Sequence, residues 1–299
     1  MTRPGGRGMS DRAAQVAVII PHHEDPVRLA RCLAALTTAP GRAAAEILVV
    51  DNGSAADLAP LRARFPAVRF VVEHERGAAA ARNRGMVETR APRLAFLDAD
   101  CLPAQDWLDR AATLPLPGGD GLLGGRIDTF DETPPPRSGA QAFEAVFAFR
   151  QAAYVRRKGF SVTANLVVSR RAAEATGPMR PGLSEDMDWC HRARAAGFAL
   201  AYAPDLVVAH PTRADRAALV AKWRRLVREA HALHQARGGG RLGWALRALA
   251  MPAIALWQAP QVLRAPQLSG WGERGGALRT LAAMRLRRGW WMLGQALRG

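Results

Sequence analysis

Cysteine is scarce in this 299-residue chain. Cys32, Cys101 and Cys190 are far apart and odd in number, so they frame neither a disulfide scaffold nor a zinc site, and a reducing cytoplasm suits them. Acidic residues are also few, 26 against 42 Lys and Arg, for a net charge of +16. Glycine is missing from the turn after the first apolar run, which reads "PHHED", so no glycine-rich phosphate loop opens the chain. Uninterrupted apolar runs are missing too. The most apolar stretch, "LGWALRALAMPAIALWQA", is broken by Arg247 and Pro252 and is too short to read as a membrane span. The opening "MTRPGGRGMSDRAAQ" has basic residues without an apolar h-region, and reads as a disordered lead-in over 1–15 rather than a secretory signal. What remains is a globular chain, 49% hydrophobic and long enough for a sizeable core.

The positive charge is concentrated at one end. From Arg213 to Gly299 sixteen Lys and Arg face only Asp215, Glu229 and Glu273, a net +13, which leaves +3 for the first 212 residues. A basic end on a near-neutral body points to an anionic partner: membrane, nucleic acid or acidic polymer. Within it, "RAALVAKWRRLVREAHALHQ" spaces apolar residues at helical intervals, and Trp257, Trp271, Trp290 and Trp291 lie among arginines. That aromatic and basic mixture suits the headgroup level of a membrane surface. The alternative is an ordinary helical subdomain whose tryptophans are core.

The first half alternates short β-branched runs with helical patterns. "VAVII", "EILVV", "VRFVV" and "LAFL" read as strands, each followed by a polar cluster and then a helix. Such alternation predicts a parallel sheet with crossover helices, whose ligand crevice lies beyond the carboxyl ends of the strands. Further on, "GLLGGRI" and "ANLVVS" read as strands and "QAFEAVFAFRQAAYVRR" as one helix. "SEDMDWCHRARAAG" reads as a helix capped by Ser184 and Gly197, and "FALAYAP" and "LVVAH" close the body. At the end of the fourth strand stand Asp98 and Asp100. Two carboxylates there can hold a metal ion or simply begin a turn. Fifteen Asp produce two Asp-x-Asp pairs, the other being Asp186 and Asp188, so the pair alone decides nothing.

Six stretches in order, "VAVIIP", "ILVVDNGS", "GAAAARNRG", "LAFLDADC", "ANLVVSRR" and "SEDMDWCHRARAAG", together resemble the family 2 glycosyltransferases, nucleotide-sugar enzymes of the GT-A fold. The resemblance runs from about Val16 to Pro211. It implies a GT-A-type α/β domain over 16–212, with a Rossmann-like, mostly parallel sheet flanked by helices. A basic, Trp-bearing helical region over 213–299 follows. The implied activity is inverting transfer of a hexosyl group from a nucleotide-diphosphate donor to a hydroxyl acceptor, with Mg²⁺ or Mn²⁺ as cofactor. The expected acceptor is a lipid-linked or cell-surface glycan. The expected location is cytoplasmic and peripheral, at an anionic inner membrane face, with nucleic acid the less favoured partner. Two other readings were open to the residues: a nucleotidyltransferase-like enzyme, which the glycine-free first turn disfavours, and a nucleic-acid-binding protein using the basic end.

The resemblance places nucleotide-sugar contacts on Pro21, His23, Glu24, Asp51, Arg82, Asn83 and Asp98, and metal contacts on Asp100 and His210. Asp51 can accept the imide N–H of a uracil ring, although "DNGS" is equally good turn chemistry. Arg82 can neutralise diphosphate or lie on a solvated helix face, and the small residues around it suit close approach of backbone to a ligand. Residues i and i+2 of a strand share a face, so Asp98 and Asp100 can reach one ion, for which hard oxygen ligands are suited. Asp186 is the implied base, with Glu185, Asp188 and Arg192 supporting it. Acids in the first turn of a helix are otherwise explained by the helix dipole alone.

Overall fold

The structure is a computed structural model that describes residues 14–40 and 44–298. The lead-in expected over 1–15 therefore falls, but for its last two residues, outside the described residues. The body opens with β1 (Val16–His22), α1 (Pro26–Thr38), β2 (Ala45–Asp51), α2 (Ala59–Arg64), β3 (Arg69–Val72) and α3 (Ala78–Glu88). It continues through β4 (Arg93–Leu97), β5 (Leu102–Pro103), α4 (Trp107–Thr113), β6 (Leu122–Phe130) and α5 (Gly139–Phe147). A short α6 (Gln151–Ala153) runs into a π-helical turn, Tyr154–Lys158. Then come β7 (Asn165–Ser169), α7 (Arg170–Thr176), α8 (Glu185–Ala195) and β8 (Leu200–Pro211). The chain ends in α9 (Arg216–Ala236), α10 (Arg241–Leu249), α11 (Met251–Leu263) and α12 (Gly270–Arg298).

One eight-stranded sheet has the order β3-β2-β1-β4-β7-β6-β8-β5. β3, β2, β1 and β4 are parallel, β7 is antiparallel to both neighbours, and β6 and β8 run parallel. The alternation in "VAVII" explains why β1 is central. Val16, Val18 and Ile20 enter the core beneath α1, α2 and α4, while Ala17 and Ile19 enter the core beneath α3, α7 and α8. A strand buried on both faces reads as a continuous apolar run. The order also reverses at β1, since the chain goes outward to β3 and returns to β4. That reversal opens a crevice beyond the ends of β1 and β4.

Some local expectations fail for physical reasons. The helix expected over 141–157 is interrupted, because Ala148–Arg150 leave helical pairing between α5 and α6. "FALAYAP" and "LVVAH" form one strand rather than two, with a bulge where Gly125 pairs Ala203 and Arg126 already pairs Val207. Asn165 holds that bulge. Its Nδ2 donates to the Arg126 and Leu206 carbonyls, and its Oδ1 accepts from Trp107 Nε1 at 2.9 Å. The small residues of α3 serve packing rather than ligand approach: Ala79, Ala80 and Ala81 are buried, and a Cβ on Gly85 would lie 2.3 Å from Ile19.

The C-terminal helices share a core with the body through α5. Phe143 and Phe147 pack with Leu219 of α9, Val262 of α11 and Leu281 and Met284 of α12. At the same junction Glu144, 2% exposed, accepts from Lys222 Nζ at 2.8 Å and from Arg213. Burial alone would raise its carboxyl, but Lys222 and Arg213 outweigh that and hold it below the ordinary carboxylate range. Trp291 packs into this core, as the subdomain alternative expects, whereas Trp257, Trp271 and Trp290 are exposed. Among the described residues no helix is long and apolar enough to cross a membrane.

Candidate functional site

The polar residues of the body gather at the carboxyl ends of β1, β2 and β4. Asp51 ends β2, and its Oδ1 accepts from Ser54 Oγ at 2.5 Å and from His22 Nδ1 at 3.3 Å. His22 Nε2 accepts from the Asp25 backbone, which fixes the proton on Nδ1 facing Asp51. The Asx-turn alternative is thus present in the geometry, yet none of these bonds uses Oδ2. Of the two neighbouring histidines, His23, expected at the nucleotide, is exposed at the turn, and His22, buried beside it, is the one joined to Asp51. The alternation of a strand that ends at His22 was the signal that could have found it. Glu24, at φ 58°, braces the turn by donating its N–H to Ser54 Oγ and accepting from the Ala55 N–H, while Pro21 pairs with Val50 in the ladder.

Arg82 is not on a solvated face. It is buried on α3 and donates through Nη2 to Asp98 at 2.7 Å and through Nη1 to Glu185 at 3.1 Å. Burial alone would lower its guanidinium, but the charges of Asp98 and Glu185 more than offset that and raise it. One side chain therefore ties the end of β4 to the start of α8. Asn83, its neighbour, exchanges two hydrogen bonds with the Met179 backbone. That gives it a loop-positioning job in place of the donor contact expected of it.

Asp98 and Asp100 do not lie along a strand, because β4 ends at Leu97. The Cys101 N–H bonds the Asp98 carbonyl, and the pair sits in that turn. Chain reversal, rather than the two-residue strand period, brings the carboxylates together. β5 then pairs antiparallel with β8, Leu102 opposite Ala209, which carries His210 to the side of Asp100. His210 Nε2 lies 3.4 Å from Asp100 Oδ2. Among the described residues Asp98, Asp100 and His210 offer ligand atoms that all lie within 4.8 Å of one another.

The hydrogen bonding of His210 tests whether this set fits a cation. Its Nδ1 lies 2.8 Å from the Pro211 carbonyl, which can only accept, so Nδ1 carries the proton. Nε2 then faces the Asp100 carboxylate, which it can meet either as an imidazolium or, deprotonated, across a cation. A histidine whose second nitrogen donates to a backbone carbonyl is the usual posture of a metal ligand. Two carboxylates and one imidazole suit a hard to borderline divalent ion. Burial raises the Asp100 carboxyl, His210 draws it back, and Asp98 raises it again. Phe149 stacks against His210 at 4.7 Å and fixes the ring plane.

On α8, Glu185, Asp186 and Asp188 occupy the first turn, where the helix dipole favours carboxylates. Ser184 precedes them but makes no side-chain cap bond, contrary to expectation. Asp188 is buried and accepts from Arg192 Nε at 2.9 Å, and Arg192 also donates to the Thr176 and Pro178 carbonyls. These two residues brace the acidic turn. Asp186 remains half-buried, its carboxyl pushed up to about 7 by burial and then by the charge of Glu185. An acid held near neutrality can take up a proton during a reaction.

Comparison with known proteins follows this geometry. Residues 17–176, more than half of the chain, match the model of "Glycosyl transferase family 2". Glycosyltransferase AglE of Haloferax volcanii is 32% identical over 208 residues, 66% of this chain and 67% of that protein. The pre-mycofactocin glycosyltransferase of Mycobacterium tuberculosis is 28% identical over 66% of this chain but only 43% of its own length. Among solved structures, the mannosyltransferase PcManGT of Pyrobaculum calidifontis, in complex with GDP-Man and Mn²⁺, superposes with a TM-score of 0.53 at 18% identity. That superposition covers 96% of this chain and 74% of the other. GalNAc-T7 with UDP, GalNAc and Mn²⁺ gives 0.51 at 19% identity, over 69% and 45% of the two chains. The two structural likenesses establish the GT-A fold.

Proposed function

The chain belongs to glycosyl transferase family 2, and on that premise we propose that it moves a sugar, with inversion, from a nucleotide-diphosphate donor to a hydroxyl acceptor at a membrane face. The observation that carries the proposal is the group Asp98, Asp100 and His210, joined through Arg82 to the acids of α8. Asp51, whose Oδ2 is outside the His22 and Ser54 bonds, takes the nucleobase. Asp98, Asp100 and His210 would hold a divalent ion, for which Mn²⁺ in both structural neighbours is the supporting precedent. Bound there, the ion supplies Lewis-acid stabilisation to the departing diphosphate. Arg82 adds a fixed positive charge beside it.

Asp186 takes the acceptor's proton as the new C–O bond forms. Its half-buried carboxyl, held near neutrality, is matched to that task. Arg82 and Glu185 set its distance from the donor, and Asp188 with Arg192 keeps the turn in place. Attack from the side opposite the leaving diphosphate inverts the anomeric centre. For the acceptor we propose a lipid-linked or cell-surface glycan. The supporting features are the +13 of residues 213–299 and the exposed Leu246, Leu256, Trp257 and Trp290 on the C-terminal helices. A screen of UDP-, GDP- and dTDP-sugars by thermal shift, with and without Mn²⁺, tests the donor reading. Ion-dependent stabilisation lost in Asp100→Ala supports it, and stabilisation indifferent to that change refutes it.

A further inference from the structure

The body pairs its buried charges, but one group of cations near α8 has no acid among its partners. α12 brings Arg285, 7% exposed, and the half-buried Arg288 over the ring of Trp223 on α9, at 5.7 and 4.6 Å. Within electrostatic reach of them are Lys158 of the π-helical turn, 5.1 Å over the ring of Tyr154, and Arg150 at the entrance to α6. Arg150 and Lys158, both exposed, are the rim of the group, and the more buried Arg285 and Arg288 its floor. Among the described residues none of the four takes part in an ion pair with a carboxylate. Arg285 donates only to the neutral Gln258 amide oxygen.

Their mutual repulsion registers on the groups themselves. Burial lowers Lys158, and the charges of Arg288, Arg150 and Arg285 lower it further. Arg288 is brought down to about 10 by burial and then by Arg285. Two donors at this spot, Arg288 Nε and Trp223 Nε1, are buried without an acceptor. Buried donors without acceptors and cations without counter-charge are each costly, and their concentration in one place suits a multiply charged, oxygen-rich anion. The position is also informative. The Tyr154 phenol is within electrostatic reach of Asp186 as well as of Arg150 and Arg288.

We propose that Arg150, Lys158, Arg285 and Arg288, with Tyr154 and Trp223, bind a phosphate group carried by the acceptor. The anion is anchored there while the acceptor's hydroxyl lies at Asp186. The orientation rests on Asp186 as base; the anion site itself does not. Titration calorimetry without donor or metal tests it, using farnesyl phosphate, farnesol and inorganic phosphate as probes. Arg150→Gln/Lys158→Gln changes only rim residues, Arg288→Gln changes the floor, and Arg247→Gln on α10 removes an exposed cation elsewhere. We expect farnesyl phosphate to bind the wild-type protein, and both site variants to weaken it about tenfold or more. Arg247→Gln should have little effect, and farnesol should not bind. Farnesyl phosphate binding well above inorganic phosphate identifies a lipid headgroup. Equal binding identifies a soluble phosphorylated acceptor and leaves the site standing. An unaffected rim variant, or an Arg247→Gln variant as impaired as the others, overturns the proposal. If Asp186→Asn retains transfer, the base assignment falls while these titrations stay valid.

Discussion

The α/β body and the C-terminal helices treat the same residue types in opposite ways. Over residues 16–212 the exposed large hydrophobics are Val27, Val72 and Val87 among the described residues. From α10 to α12 there are ten, including Leu242, Leu249, Trp271 and Leu297. Charge follows the same divide. Arg82, Arg192 and Arg28 are each held by carboxylates, whereas Arg285 and Arg288 rest on Trp223 and one neutral amide. The C-terminal helices leave apolar and cationic surface exposed, the kind of surface that suits an outside partner.

Variants that separate the two regions test this division. The largest expected effect is in the body: Asp100→Ala should lower transfer about 10⁴-fold, since the loss of several kcal/mol costs tenfold for each 1.4. Its vesicle binding should be unchanged, and a shared loss would mean that the regions are not independent. Asp186→Asn should lower transfer about 10³-fold while sparing donor binding. With Asp186 raised to about 7, wild-type transfer should climb about tenfold per pH unit toward pH 7 and then level off. The raised carboxyl also means that the folded state binds the extra proton between pH 3.8 and about 7, so this group's contribution to stability declines across that window as pH rises.

Glu144→Gln addresses the junction. It leaves the half-buried Lys222 and Arg213 without their acid, and should cost about 1–3 kcal/mol in denaturant unfolding. Separate melting of two units would show that α5 does not weld them together. The smallest effect is on the open face. Trp257→Glu with Trp290→Glu should weaken binding to phosphatidylglycerol-containing vesicles about tenfold, with donor hydrolysis intact. Tighter binding to DNA than to such vesicles would reverse the reading of the basic end.

Strands were easy to read because β1 and β2 are short β-branched runs and β4 a short apolar one, each followed by polar residues, a local signal. The group of Asp98, Asp100 and His210 was legible as a pair of aspartates, but its geometry was not, since a turn and a strand end both begin with an acid after an apolar run. His22 and His23 could not be ranked without knowing where β1 ends, and a shift of one residue reverses the face of a strand. The burial of Arg82 involves Glu185, 103 residues further on, and Arg285 and Arg288 meet Trp223 across more than sixty residues. Composition revealed the excess of charge at that end, but not which charges would meet.

The bond from Arg82 to Glu185 spans 103 residues of chain, and His210 reaches Asp100 only once β8 has paired with β5. The contacts of the candidate site therefore wait on residues far along the chain. Closing such long loops precedes any gain from the contacts they make. Refolding followed by the signal of a bound Mn²⁺ should lag behind refolding followed by secondary structure, and a chain truncated before Leu200 should keep β1 to β4 but lack His210 beside Asp100.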